Sequence, residues 1–310
     1  MAVEGLLLAL VLDFLFGDPR WPFHPVRLIG HAASVLERSC RRLPLPERMQ
    51  GLAFVVAVEG AVLVPLGSAL LVNSRLPLPW LFEGVALFFA LGGSSLGREV
   101  RRVAQALQAQ GLDAARKTLS FLVSRDTEVL TEEGVVSSAL ETLSENFSDA
   151  LAATLLYAVL GGPLLAWLHR TANTLDAMVG YRTERYRHFG WASARFDDLL
   201  GWMPARLSAA LIALSAPLVG GGTQESWFAA LQEGPKLESP NAGFPMAAFA
   251  GALNRSLCGP VSYFGSVREK PFLGSGPRPD RNDLERGLTL YWGASLLLAL
   301  LALWAGGLLS

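Results

Sequence analysis

Three carboxylates, Glu141, Glu145 and Asp149, recur at i, i+4 and i+8. On a regular helix that spacing lines them along one face, where like charges repel. A sequence that keeps them beside the apolar run ALAATLLYAVLGG neutralises them with Mg²⁺ or with a pairing arginine; a solvated acidic face is the alternative. Asn146 and Ser148 stand alongside. In NTLDAMVGY, Asn173 and Asp176 are one helical turn apart, and their oxygens suit a hard cation or a hydrogen-bonded hydroxyl, although Asn173 also reads as a helix cap. The stretch YRTERYRHFGWASARFDDLLGWMPARL then gathers Arg182, Arg185, Arg187, Arg195 and Arg206 around Asp197 and Asp198. Guanidinium forks match phosphate or carboxylate bidentately, and a structural ion-pair network draws on the same residue types.

Nearer the N-terminus, LDFLFGDPRWPFHPVRLIG places Asp13 in an apolar helix and follows it with Asp18, His24 and Arg27 in a proline-stiffened turn. An ionisable group at membrane depth is a functional candidate by default, whereas His24 between Phe23 and Pro25 reads more simply as structural. Glu59 and Glu83 fall inside apolar runs, where pairing between helices is as good a reading as function. SPNAGFP at 239–245 is a turn whose Asn241, Ala242 and Gly243 amides could close on an anion. There is no GxxxxGK[ST], no GxGxxG after a strand and no Cys/His zinc spacing, so any nucleotide is held by an unfamiliar frame. Cys40 and Cys258 are too few and too far apart for a disulfide framework.

The elements that position these groups belong in a bilayer. The 310 residues are 51% hydrophobic and 17% charged, with a mean hydropathy of +0.36, against roughly 25% charged residues in a soluble domain. A net charge of -1 offers no global field for nucleic acid. We therefore expect an all-α, polytopic helical membrane protein, a single membrane domain over 1–310. Residues 287–309, 51–73 and 79–97 read as spans, the last two joined by a turn holding Arg75 and Pro77. Residues 2–16 form a shorter apolar helix, retained rather than cleaved because no basic residue precedes it. Stretches 150–168 and 203–219 are interrupted by Gly161-Gly162-Pro163 and by Pro217, so both read as broken or re-entrant helices around a cytosol-facing cavity; irregular backbone at that depth must be covered by protein or water. The basic segments 17–50, 98–149 and 222–286 belong in the cytosol. Within them, 98–117 is an amphipathic surface helix and 271–283 a loop by composition.

The strings LDFLFGDPRWPFHPVRLIG, SRDTEVL, ETLSENFSDALAA, ANTLDAMVGYRTERYRHFGWASARFDDLLGWMPARL and SPNAGFPMAAFAGAL followed by GPVSYFG cover residues 12 to 265. In this order they resemble the adenosylcobinamide-phosphate synthase family of cobalamin biosynthesis, an integral membrane family. The resemblance implies a multi-pass protein of the cell (inner or plasma) membrane with its active site facing the cytosol. It implies an ATP-dependent amide ligation in which a propionate of adenosylcobyric acid is joined to aminopropanol or aminopropanol phosphate. On that reading ATP and Mg²⁺ are required, Glu141, Glu145, Asp149 and Asp176 are the metal ligands, and Arg182, Arg185, Arg195 and Arg206 clamp phosphate. Asp18, His24, Arg27, Asn173 and Asn241 complete the binding set. Asp197 or Asp198 orients an arginine or accepts the amine proton, with Arg195 and Asp126 of SRDTEVL in the catalytic group. Partners are the two substrates, the lipid bilayer and other late cobalamin-pathway enzymes. Two rivals stand beside it. An intramembrane Mg²⁺-dependent prenyltransferase would also use ENFSD and NTLD, and a non-enzymatic membrane sensor would be expected to lack several of the acidic and arginine positions retained here.

Overall fold

A computed structural model describes residues 2–19, 21–263 and 265–309. Helices dominate. Five helical segments, Glu47–Asn73, Pro79–Ala109, Glu132–Val179, Trp191–Val219 and Asn282–Leu309, are long and apolar enough to cross a membrane, which makes this a polytopic helical membrane protein. Helix α1 (Val3–Phe16) has 14 residues, about 21 Å at 1.5 Å per residue, short of the ~30 Å hydrocarbon layer. The chain packs as two compact units.

The first unit comprises Met1–Gly92, Ala153–Gly201 and Ala299–Ser310. It contains α1, α2 (Pro25–Cys40), α3 (Glu47–Asn73), α4 (Pro79–Phe88), α8 (Ala153–Val179) and the start of α9 (Trp191–Ser215). Its core is apolar: Ile29 and Ala33 of α2, Phe54 and Val58 of α3, Trp167 and Leu175 of α8, and Phe189 of the following turn. The predicted break in 150–168 is present. Gly162 adopts φ +68° just before Pro163, a left-handed conformation open to glycine, and proline removes a helix donor there. The 203–219 stretch differs from expectation. Pro217 does not isolate a short piece; α9 runs unbroken from Trp191 to Ser215, and a 3₁₀ turn at Ala216–Val219 follows.

The second unit comprises Gly93–Ala152 and Trp202–Leu298. The expected surface helix over 98–117 is two helices, α5 (Gly93–Ala109) and α6 (Leu112–Leu119), because Gly111 takes φ +90° between them. Helix α7 (Glu132–Asn146) starts at the Thr131 cap and buries every residue from Val135 to Ser144. It passes into a π-helical turn at Phe147–Ala152. Helices α10 (Thr223–Glu233) and α11 (Gly243–Leu253) follow. Ten of the eleven residues of α11 are buried, as expected of a helix that is apolar all round yet too short to span. Two small antiparallel pairs complete the unit: β1 (Leu257–Cys258) with β4 (Phe272–Leu273), and β2 (Val261–Tyr263) with β3 (Ser266–Arg268). Helix α12 (Asn282–Leu309) closes the chain. Both cysteines are free and buried.

Candidate functional site

In the first unit, Asp176 near the end of α8 and Asp198 on α9 lie within each other's electrostatic reach, and Asp198 is also in the fields of Arg195 and Arg182. Helix α8 stops where the Gly180 amide donates to the Asp176 carbonyl at 2.7 Å. A Cβ at Gly180 would collide with Asp176 Oδ1, so glycine is what lets that carboxylate occupy its place. Asn173 sits inside α8 rather than at a cap. Arg195 Nη1 reaches Asp198 Oδ2 at 3.4 Å, with the two side chains 64% and 28% exposed, an ion pair of little structural weight. The arrangement is two neighbouring carboxylates with guanidinium groups at their margin.

Other first-unit candidates hold the fold. His24 caps α2, its Nδ1 accepting from the Val26 amide at 3.3 Å, while Nε2 meets Asp18 Oδ1 at 2.8 Å. Arg185, expected to clamp phosphate, instead donates to Glu37 Oε1 at 3.1 Å, beside Arg41 Nε at 2.8 Å on the same oxygen. Arg41 also lies over the Phe189 ring at 4.1 Å and donates to the Arg185 carbonyl. Burial alone would raise the Glu37 carboxyl, but the hydrogen bonds and charges of Arg41 and Arg185 hold it below its ordinary value. Together these contacts fasten the 180–190 turn to α2. Arg27 lies exposed on α2.

In the second unit the acidic stripe is resolved differently from expectation. Glu141 is 3% exposed and committed: Oε2 accepts from Arg125 Nη2 at 2.9 Å, and Oε1 accepts from Ser137 Oγ at 2.6 Å and the Cys258 amide at 3.1 Å. Arg125 donates as well to Ser138 Oγ. The neutralising partner is thus an arginine, and Glu141 is corrected from metal ligand to half of a buried ion pair. Asp149 sits in the π-helical turn, whose wider winding departs from the α-helical periodicity that the i+8 spacing assumes; such turns are frequent at functional sites. Glu145 and Asp149 are half-buried, and the neighbouring buried Ser148 hydroxyl has no hydrogen-bond partner among the described residues. Among the described residues no group of three or more His, Cys, Asp or Glu is placed to hold a metal ion. Mg²⁺ bound through substrate phosphates, however, needs only one or two protein carboxylates. Within the first unit, Asp176 and Asp198 are two carboxylates in each other's field, the number that such binding uses.

Asp126, expected to be catalytic, is occupied by the β2–β3 hairpin. Its amide donates to the Ser262 carbonyl, and its Oδ2 accepts from Ser262 Oγ and the Gly265 amide. Arg206 donates to Asn241 Oδ1 at 2.9 Å and to the Trp202 carbonyl, and its guanidinium lies 3.9 Å from the Phe244 ring centre. The anion pocket expected at 241–243 is pre-empted, because the Asn241 and Ala242 amides both donate to Ser239 Oγ. One feature escaped the sequence reading, and a second resolves an alternative that it left open. Asp283, fully buried, accepts from Arg286 Nη1 at 2.6 Å and the Asp280 amide at 2.8 Å and forms an ion pair with Arg255, whose Nε lies 2.7 Å from its Oδ2. Glu59, 7% exposed, has neither carboxylate oxygen hydrogen-bonded, so of the two readings open for it, pairing between helices is not seen among the described residues. The Asp283 to Arg286 spacing was a visible signal for the first; the apolar run around Glu59 marked the second.

A family model described as CobD/Cbib protein matches residues 6–291. The chain belongs to the CobD/Cbib family. It is 45% identical over 303 residues to a cobalamin biosynthesis protein CobD of Geobacter metallireducens, covering 96% of this chain and 94% of the relative. A Pelobacter propionicus protein of the same name is 38% identical over 98% of this chain and 95% of its own, and a Mycobacterium tuberculosis one 40% identical over 92% and 90%. No solved structure matches the chain. Membership of the CobD/Cbib family along nearly its whole length supports a role in cobalamin biosynthesis.

Proposed function

We propose that this CobD/Cbib family member is an ATP-dependent amide ligase that joins aminopropanol, or its O-phosphate, to a propionate side chain of adenosylcobyric acid. The observation that carries the reading is the family match over residues 6–291, together with the acidic and arginine strings it spans. Carboxylate and amine do not condense at neutral pH without activation. In the proposed route a propionate oxygen attacks the γ-phosphorus of ATP, forming an acyl phosphate and releasing ADP. The amine nitrogen then adds to the acyl carbon, the bond to phosphate breaks, inorganic phosphate leaves and the amine gives up a proton.

Arg195 and Arg182 hold phosphate oxygens in this scheme, and Asp197 accepts the amine proton. Mg²⁺, when bound, neutralises phosphate charge; Asp176 and Asp198 in one unit, and Glu145 and Asp149 in the other, are the carboxylates suited to hold it. Glu37, Arg41, Arg185, His24 and Asp18 act by fixing backbone around the first group. We place the site on the cytosolic side of the cell membrane, where ATP is available and where the basic segments favour cytosolic placement. The test is mass spectrometry of the corrinoids in a strain lacking the gene. Cobyric acid should accumulate and be consumed again when the gene is restored; continued formation of cobinamide without it would contradict the reading.

A further inference from the structure

Six cations lie between Asn254 and Arg286, and four of them are tied into the fold. Arg255 binds Asp280 and Asp283, Arg278 the Ser256 and Cys258 carbonyls, Arg281 Glu132, and Arg286 Asp283. Arg268 and Lys270 are different. Their charges lie 5.7 and 5.6 Å from the centre of one ring, that of Tyr263, and among the described residues neither forms an ion pair with a carboxylate. Glu269, between them in sequence, pairs with neither. Two cations gathered on one aromatic ring without a counter-charge repel each other, and an anion relieves that repulsion.

The hairpin supplies the remaining parts. Strand alternation sends Ser262 toward Asp126, which anchors the hairpin, and puts Tyr263 on the opposite face with Val261 and its cross-strand partner Arg268. Lys270 Nζ donates to Tyr263 Oη at 3.3 Å. The phenol therefore keeps its own proton for an acceptor, and Lys270 keeps its other N–H groups. A guanidinium fork, an ammonium and a hydroxyl on a short, tethered hairpin match an oxygen-rich dianion.

We propose that Tyr263, Arg268 and Lys270 form a binding site for a phosphate-bearing ligand, either a soluble phosphate compound or the headgroup of an anionic lipid. This site does not depend on the ligation chemistry proposed above. The test is calorimetric titration of the purified full-length protein in phosphatidylcholine nanodiscs with pyrophosphate, and, in detergent, with short-chain phosphatidic acid against short-chain phosphatidylcholine. Charge-assisted hydrogen bonds are each worth enough that R268Q/K270Q should weaken binding about tenfold or more. Y263F, which keeps both cations, should weaken it less, and R281Q, which removes a charge already paired with Glu132, should not change it. Melting curves show that each variant is folded. Discrimination with pyrophosphate identifies a soluble ligand, and discrimination with phosphatidic acid alone identifies a lipid. The proposal is overturned if wild type binds neither probe, if R268Q/K270Q binds as wild type does, or if R281Q loses as much affinity as R268Q/K270Q.

Discussion

Arg125 and Glu141 meet at 2.9 Å with side chains only 12% and 4% exposed, joining the segment before α7 to α7 itself. Removing one partner of such a pair strands the other charge, at a cost of roughly 3–5 kcal/mol. Glu141→Gln should therefore melt well below wild type in detergent. Arg125→Met with Glu141→Leu, which removes both charges, should recover a good part of the loss. A Glu141→Gln melting curve that overlays wild type would show that the pair does not hold the unit together.

Glu145, Asp149 and Asp176 should behave in the opposite way. Glu145→Gln, Asp149→Asn and Asp176→Asn keep side-chain size, so melting should stay close to wild type, while the rate of amide formation falls on the order of 10²-fold for a group that organises transition-state charge. Initial rates at saturating ATP and Mg²⁺ measure this. A variant that keeps more than half the wild-type rate removes that carboxylate from the proposed metal-binding groups.

Glu37 predicts a pH signature. Its folded-state carboxyl is held below the ordinary value of 4.5 by Arg41 and Arg185, against the opposing effect of burial. A depressed folded value means that the stabilisation is fully present above about pH 4.5 and is lost as pH falls through the lower folded value. The melting difference between wild type and Glu37→Gln should be constant from pH 7 to pH 5 and shrink below pH 4.5. A difference that grows on acidification would reverse the assignment.

Arg195 separates a ligand clamp from a structural pair. Because its contact with Asp198 is long and largely exposed, Arg195→Ala should cost no more than about 1 kcal/mol of stability. Arg195→Lys, which keeps charge but loses the planar fork, should still raise the KM for ATP or lower kcat if the fork holds phosphate. A kinetically normal lysine variant beside a destabilised alanine variant would place Arg195 outside the site.

Much of the fold is legible in the sequence because hydrocarbon thickness and helix periodicity are local constraints. The spans over 51–73 and 287–309, and the break at Gly162, follow from them and appear within α3, α12 and α8. Side-chain partnerships are less legible. The Glu141, Glu145 and Asp149 stripe assumes unbroken α-helical winding, and the π-helical turn at Phe147–Ala152 interrupts that winding before Asp149. Arg125 reaches Glu141 from sixteen residues away through a stretch with no periodicity, and Arg255 reaches Asp283 across a proline- and glycine-rich loop. The Asn241 turn looks like an anion pocket until Ser239, two residues earlier, takes its amides.

The most direct test of the account is reconstitution. Purified protein in nanodiscs is incubated with adenosylcobyric acid, Mg²⁺, ATP and either aminopropanol or aminopropanol phosphate, and products are resolved by liquid chromatography and mass spectrometry. The account predicts an amide-linked corrinoid, adenosylcobinamide or its phosphate, formed only when ATP is present and in equal amount with ADP and inorganic phosphate. Absence of that product from folded protein with all substrates present, or its formation without ATP consumption, would contradict the ligase assignment.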